Sequence, residues 1–188
     1  MPTFNILIAT IGRPSLQNML NSLSPMLDEE DCLTIVYDGH AKIPNFNLER
    51  FKCKVLCYFE KKALGYWGHG IRNKYANLLE PRDFVMHADD DDIYIEGTFN
   101  KLRALCNDSS AFYIGKMLVG KAIIPNPLNL TVKEGNIGTP CGILPFDVNK
   151  KGEWKKRNGG DGSFYEQLAR LVPPIFLDII MYKVRPKI

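Results

Sequence analysis

The stretch that most constrains this sequence is residues 82–94, RDFVMHADDDDIY. Its apolar residues 84–86 are typical of a buried strand, and four consecutive aspartates, residues 89–92, follow at the strand end. Two carboxylates about 4 Å apart repel each other by roughly 1 kcal/mol even in water, so a fold that gathers four of them usually supplies a cation. Ligand sites of open α/β sheets lie at such carboxyl ends, which favours a site over the alternative of an acidic loop that caps a helix beginning near Glu96.

The kind of cation follows from the ligands. Mg²⁺ or Mn²⁺ is commonly held by one or two carboxylates and keeps positions open for phosphate oxygens. A Ca²⁺ loop needs a D-x-D-x-D-G series, which the residues IYI at 93–95 do not continue. The sequence therefore predicts Mn²⁺ or Mg²⁺ as the cofactor.

The composition is that of an ordinary globular protein. The chain has 188 residues, of which 45% are hydrophobic and 24% charged, enough for one domain with its own core. A net charge of +3 is too small to indicate nucleic-acid binding, although basic residues at 150–157 would suit a metal-bound diphosphate. The five cysteines form no paired framework, the N-terminus lacks signal-peptide features, and residues 175–184 are too few to span a bilayer. We therefore expect a cytoplasmic protein with no transmembrane segment.

Strands and helices alternate in the first half. The pattern predicts strands at residues 4–9, 33–37, 54–59 and 84–86, with helices beginning at Pro14 or Ser15 and spanning residues 71–79 and 98–106. Such alternation implies parallel pairing with right-handed crossovers, hence a three-layer, Rossmann-like α/β fold with a mostly parallel sheet.

The second half is less regular. A hairpin is predicted within residues 112–124, loops with one or two short strands at 125–151, and a helix at 161–171. With no linker long enough to divide the chain, we expect a single domain over residues 1–188. Its first half, residues 1–106, looks like a nucleotide-binding layer system, and its second half, residues 107–188, looks like the lid of that system.

Polar residues follow the first two strands at the edge that also carries the aspartates. Thr10 and Arg13 come after the first strand and Asp38 after the second. An aspartate at such a tip can accept a hydrogen bond from N3–H of uracil, although an Asx-turn at Gly39 would also explain Asp38. Arg72 could reach a base or a phosphate from its helix, and the alternative is an exposed helix residue.

Four segments in this order resemble the GT-A glycosyltransferases, specifically the family 2-like group. They are IATIGRP (8–14), IVYDGH (35–40), GIRN (70–73) and VMHADDDD (85–92), which are similar to P-T-x-N-R, V-D-D-G-S, A-R-N and F-L-D-x-D-D. Ala9, Tyr37 and His40 depart from the pattern. The resemblance covers roughly residues 4–100 and implies a nucleotide-sugar donor, with a UDP-sugar expected, lying across the strand ends.

The resemblance also assigns roles to single residues. Thr10, Arg13, Asp38 and Arg72 would hold the nucleoside, and the D-x-D motif would bring together the ribose and a metal-bridged diphosphate. Matching that motif places it on Asp89 and Asp91 as metal ligands, with Asp89 and Asp90 also on the donor. A shift of one residue leaves Asp90 and Asp92 as alternative ligands.

The segment GGDGSFYEQLARL (159–171) resembles the family's G-E-D-x-x-F/L-x-x-R-L, which places Asp161 on the catalytic aspartate. Gly160 departs from the usual glutamate. Asp161 would then deprotonate the acceptor hydroxyl in an inverting transfer, unless it only caps the last helix. Glu166 is a weaker candidate for the same role.

Other candidates surround these positions. Lys155, Lys156 and Arg157 could cover the diphosphate, with a solvated basic run as the alternative. Trp154 could stack on a sugar, although an isolated tryptophan more often packs in a core or a lid. His69 or His87 could approach the site, and His87 is the more interesting because it adjoins the aspartates, but a hydrogen-bonded structural role is the better expectation for it. Residues 136–142 lie where the family builds its acceptor pocket.

The predicted function is transfer of a sugar from a nucleotide-sugar to a glycan or other hydroxyl acceptor, by a whole protein or by one module of a larger glycan-assembly protein. Two other classes stay open. One is metal-dependent phosphotransfer on nucleotides or nucleic acids, which normally needs a second acidic cluster. The other is a non-catalytic module that binds metal or carbohydrate.

Overall fold

A computed structural model describes residues 1–39 and 46–186. Its described residues form nine strands: β1 (Phe4–Thr10), β2 (Cys32–Tyr37), β3 (Lys54–Phe59), β4 (Phe84–Asp89), β5 (Ile93–Tyr94), β6 (Tyr113–Val119), β7 (Ala122–Ile124), β8 (Gly142–Pro145) and β9 (Ile175–Val184). The α-helices are α1 (Leu16–Leu23), α2 (His69–Tyr75), α3 (Thr98–Leu105), α4 (Phe146–Asn149) and α5 (Gly160–Leu171). His40, at the end of the second motif, lies outside the described residues.

All nine strands join one sheet, in the order β3-β2-β1-β4-β8-β6-β9-β5, with β7 paired to the edge of β6. Strands β3, β2, β1 and β4 pair in parallel, whereas β8 joins β4 and β6 antiparallel. The register sets Thr10 opposite Tyr37 and Ala9 opposite Asp89. The ends of the first two strands and the aspartates therefore meet at one edge of the sheet.

Alternation along β1 divides the core between the two faces of the sheet. Phe4, Ile6 and Ile8 pack into the cluster that contains α1 and α3, while Leu7 packs with Ile71 of α2 on the other face. Helix α1 buries Leu16, Met19, Leu20 and Leu23, the residues whose spacing predicts a helix here. These helices on both faces confirm the predicted three-layer α/β fold.

Several elements differ from the sequence prediction; strand β5 and helix α4, for example, were not predicted. Helix α2 begins at His69 and ends at Tyr75, earlier than predicted, because left-handed Gly68 starts it and residues 78 and 79 only close turns onto the Tyr75 carbonyl. Strand β9 was not predicted at all, because buried and exposed residues do not alternate regularly along it. It pairs with β6, with register shifts near Lys116, and antiparallel with β5. In the described residues, no helix is long and apolar enough to cross a membrane.

Candidate active site

A cavity of about 340 Å³ opens at the edge where β1, β2 and β4 end. Seven of the eight predicted site residues line it: Thr10, Arg13, Asp38, Asp89, Asp90, Asp91 and Asp161. The eighth, Arg72, does not. Other lining residues come from the segment before α2, from the start of α5 and from the end of β9: Gly65, Trp67, Gly68, His69, Asn158, Gly159 and Arg185.

The four aspartates alternate in direction. Asp90 is turned inward, where it accepts hydrogen bonds from Thr10 Oγ1 at 2.6 Å and from Arg13 Nη1 at 2.8 Å. Asp92 is also buried, and it accepts one from the backbone N–H of Arg185 at 2.8 Å. Burial raises the pKa of Asp90 and raises that of Asp92 to about 7. These two carboxylates thus stabilise the loop that carries the others.

Asp89 and Asp91 face the cavity. Their side chains are 34% and 22% exposed, against 4% for Asp90. Asp89 Oδ1 accepts a hydrogen bond from Arg72 Nη2 at 2.6 Å, and Asp91 Oδ2 lies 3.0 Å from Arg185 Nε. Within the described residues, the second oxygen of each carboxylate has no hydrogen-bond partner in the protein. Of the two registers, only Asp89 with Asp91 leaves both carboxylates facing the cavity.

Three arginines, Arg13, Arg72 and Arg185, lie against the aspartates and offset their charge. The repulsion therefore does not by itself require a metal ion, which corrects the first argument made from the sequence. No group of three or more His, Cys, Asp or Glu side chains in residues 1–39 and 46–186 is arranged to hold a metal. Two carboxylates with one free oxygen each still fit Mg²⁺ or Mn²⁺, provided that other oxygens, such as those of a phosphate, complete the shell.

Asp38 lies at the end of β2 and braces the segment before α2. Its Oδ1 accepts a hydrogen bond from the Leu64 N–H at 2.6 Å and its Oδ2 from the Gly65 N–H at 2.8 Å. An Asx-turn at Gly39 would use the N–H of residue 40, which lies outside the described residues. A carboxylate has about four lone-pair sites, so Asp38, which lines the cavity, retains acceptor capacity for a ligand N–H.

Arg72 lies beneath the cavity, with no exposed surface. Besides Asp89, it donates to the carbonyls of Ala88 at 3.1 Å and Trp67 at 2.9 Å, and its guanidinium lies 5.0 Å from the ring centre of Trp154. The alternative of an exposed helix residue is wrong. Its contacts make it a residue that positions Asp89, and its side chain does not line the cavity.

Asp161 lies across the cavity from the strand ends, in the first turn of α5. Left-handed Gly159 caps the helix, so Asp161 is not the capping residue, although its Oδ1 accepts a hydrogen bond from the Gly162 N–H at 2.8 Å. Glu166 lies on the outer side of the helix, where it accepts from the Glu134 N–H at 2.9 Å, outside the cavity.

His87 is the hydrogen-bonded structural histidine that the sequence favours. It is completely buried, with Nε2 donating to Asn149 Oδ1 at 2.8 Å and, among the described residues, no partner for Nδ1, and burial lowers its pKa to about 3. His69 lines the cavity instead, with Nδ1 donating to the Lys155 carbonyl at 2.8 Å. That bond fixes the tautomer and leaves Nε2 as an acceptor, while burial lowers the pKa of the ring.

The late basic segment contacts the site through its backbone, since the Lys155 carbonyl accepts the hydrogen bond of His69. Trp154 is a core residue, stacked on Phe164 at 4.2 Å between ring centres. Arg157 pairs with Glu134 at 2.6 Å and Lys155 with Glu153 at 2.6 Å, so neither lies over the aspartates. From residues 136–142, Thr139 reaches the cavity.

No protein-family model matches the sequence, and no curated protein matches it. Solved structures do match. S. aureus TarS 1–349 superposes with a TM-score of 0.72 at 16% identity, covering 97% of this chain and 60% of that one. The chain has the GT-A fold. This confirms the fold that the sequence motifs predict.

Two further structures match at similar coverage of this chain. TarS 1–349 in complex with UDP gives a TM-score of 0.72 at 17% identity, over 98% of this chain and 60% of that one. HddC from Yersinia pseudotuberculosis gives 0.55 at 12% identity, over 96% of this chain and 90% of that one. The chain thus spans about 60% of the length of TarS 1–349.

Proposed function

We propose that this protein is a metal-dependent glycosyltransferase that uses a UDP-sugar and transfers its sugar, with inversion, to a hydroxyl of a glycan or other acceptor. The observation that carries the proposal is the convergence of Asp38, Asp89, Asp91 and Asp161, from three distant parts of the chain, on one cavity of the GT-A fold. TarS 1–349 has been solved with UDP and with UDP-GlcNAc, which supports a nucleotide-sugar as the donor.

The donor would lie along the strand ends. Asp38 is placed to accept from N3–H of uracil, a donor group that cytosine lacks. Arg13 is 46% exposed and Arg185 76% exposed, so each has guanidinium surface for the diphosphate while it remains anchored to the aspartates. Asp89 and Asp91 would hold Mn²⁺ or Mg²⁺, which supplies positive charge to the departing diphosphate.

Asp161 would act as the base. An acceptor hydroxyl is a poor nucleophile until a carboxylate within hydrogen-bond reach removes its proton as the new bond forms. Asp161 faces the cavity and keeps one oxygen free of the Gly162 hydrogen bond within the described residues. His69 lies beside Asp161 and its ring is neutral, with Nε2 as a hydrogen-bond acceptor. It therefore does not form an ion pair that would occupy the Asp161 carboxylate.

The phosphotransfer alternative receives less support. Two-metal phosphoryl chemistry needs a cluster of several carboxylates, and no group of three or more His, Cys, Asp or Glu side chains in residues 1–39 and 46–186 is arranged to hold metal.

Two variants separate binding from chemistry. Asp91→Asn should weaken UDP binding in the presence of Mn²⁺ by calorimetry, whereas Asp161→Asn should retain UDP binding and lose turnover of UDP-GlcNAc, the first donor to assay. Asp147→Asn is the matched control, because Asp147 pairs on the surface with Lys150 and is 84% exposed. Wild-type protein that fails to bind UDP with Mn²⁺ would exclude the proposal, and an active Asp161→Asn variant would exclude the assigned base.

A further inference from the structure

The segment before α2 contains four consecutive residues with left-handed backbone. The φ angles are 66° at Gly65, 58° at Tyr66, 55° at Trp67 and 82° at Gly68. Glycine adopts this conformation freely, but Tyr and Trp are strained in it, and left-handed residues ordinarily occur singly. Strain of this kind persists only where the surroundings enforce it, and it is concentrated at functional sites.

The surroundings that enforce this turn are parts of the candidate site. Asp38 binds the amides of Leu64 and Gly65 at its start. Arg72 donates to the Trp67 carbonyl at 2.9 Å at its end. Gly68 lies so close to β1 that a side chain there would meet the Ala9 Cβ at 2.6 Å. Asp38 and Arg72, two of the charged residues that the sequence assigned to the donor, thus hold the strained turn in place.

The turn exposes an indole at the rim of the cavity. Trp67 is 67% exposed and lines the cavity, whereas the protein's second tryptophan, Trp154, is 1% exposed. The Trp67 ring centre lies 6.3 Å from that of His69. The His69 ring in turn lies so close to Gly160, next to Asp161, that a Cβ added there would meet it at 2.7 Å. A large apolar ring is therefore presented to solvent beside the group proposed to act on the acceptor hydroxyl.

We propose that Trp67 is a stacking platform for a pyranose ring at the mouth of the cavity. The apolar C–H face of a sugar would cover the exposed indole, while its hydroxyls would face polar groups of the rim such as Asn158 and Asp161. This inference rests on the proposed function and adds to it the residue that receives the sugar. The ring belongs either to the donor sugar or to the acceptor, and the test separates the two.

Quenching of tryptophan fluorescence by acrylamide isolates Trp67, because Trp154 is buried. The probes are UDP, UDP-GlcNAc, and cellobiose or chitobiose added to the UDP complex, all with Mn²⁺. Protection by UDP-GlcNAc and not by UDP assigns the platform to the donor sugar. Protection only by a disaccharide assigns it to the acceptor. The Trp67→Phe variant, which should lose the quenchable signal, confirms its source.

Two variants test the stacking itself by calorimetry. Trp67→Gly removes the ring and suits the left-handed backbone, so it should fold and should weaken binding of the protecting sugar about tenfold, as loss of one aromatic stacking contact would. Trp67→Phe should retain most of the wild-type affinity for that sugar, and the affinity for UDP should be unchanged in both variants. Leu128→Ala, which removes an apolar side chain that is 96% exposed and outside the cavity, is the control.

The inference is overturned if UDP alone protects Trp67 as well as UDP-GlcNAc does, because the ring would then stack on the base. It is also overturned if UDP binds but neither UDP-GlcNAc nor a disaccharide protects Trp67 from acrylamide. Should UDP not bind at all, the proposed function fails separately, and the disaccharides alone decide whether the indole receives a sugar.

Discussion

Replacing Arg72 with Met should destabilise this protein strongly, because Arg72 is the buried charge on which the site is built. The substitution keeps a long, unbranched side chain and removes the guanidinium. It abolishes the ion pair with Asp89 at 2.6 Å, the hydrogen bonds to the carbonyls of Ala88 and Trp67, and the contact with the Trp154 ring. Asp89 would keep its charge and lose its partner.

The magnitude follows from these contacts. Removal of one member of a buried ion pair destabilises by about 3–5 kcal/mol. The lower end applies, since the Asp89 side chain is 34% exposed and water takes up part of its charge. Arg72 Nε also lacks a hydrogen-bond partner among the described residues, and its removal returns part of a desolvation penalty. We expect a loss of about 3 kcal/mol, which lowers Tm by about 6–12 °C in a chain of this size.

Urea unfolding followed by fluorescence measures this change, with Lys74→Met as the matched control on the same helix. Lys74 pairs with Glu60 at 2.6 Å but is 49% exposed, and surface pairs of this kind contribute about 0–1 kcal/mol. Equal stabilities for Arg72→Met and Lys74→Met would refute the assignment of Arg72 as the buried support of Asp89. Wild-type stability with lost UDP binding would instead return Arg72 to the role of a direct ligand.

Three further outcomes follow from the structure. The His87 pKa of about 3 lies below the ordinary 6.5, so the stability that depends on its neutral ring is present above pH 6.5 and is lost as the pH falls toward 3. In urea titrations between pH 7 and 4, the free energy of unfolding of the wild-type protein should therefore fall by several kcal/mol more than that of His87→Gln. Trp67→Gly should raise the free energy of unfolding by about 0.5–1 kcal/mol, as release of strain exceeds the added chain entropy. Gly142→Ala should destabilise by about 1–3 kcal/mol in the same assay, because its Cβ would overlap the buried Tyr165 ring.

The first half of the fold was predictable from sequence because its information is local. Strands β1, β2 and β4 are apolar runs that stop at a polar residue, and α1 repeats its buried residues at helical spacing. Parallel strands necessarily end at one edge, so Thr10, Asp38 and the aspartates had to meet once the strands were identified.

The second half depends on pairing between distant segments. Strand β9 is recognised only through its partners β6 and β5, and without it nothing in the sequence brings Arg185 to Asp91. The sequence also could not predict which way the Arg72 side chain points, because a seven-residue helix does not show which of its sides packs against the sheet. The left-handed backbone at Tyr66 and Trp67 was hidden for another reason: these residue types disfavour it, and only tertiary contacts impose it.

The arrangement of charges connects the donor to the metal. Asp91 is held by Arg13 and Arg185, the two arginines whose exposed surfaces face the cavity. A diphosphate offers these guanidinium groups an anion with bidentate geometry, and each contact it takes from Asp91 frees a carboxylate oxygen for a cation. Metal and nucleotide should therefore bind more tightly together than separately, and by linkage each should raise the affinity of the other by the same factor. In this scheme the arginines would limit the repulsion between the carboxylates before a donor arrives, and their contacts with Asp91 would pass to the diphosphate where Asp89 and Asp91 held a metal ion.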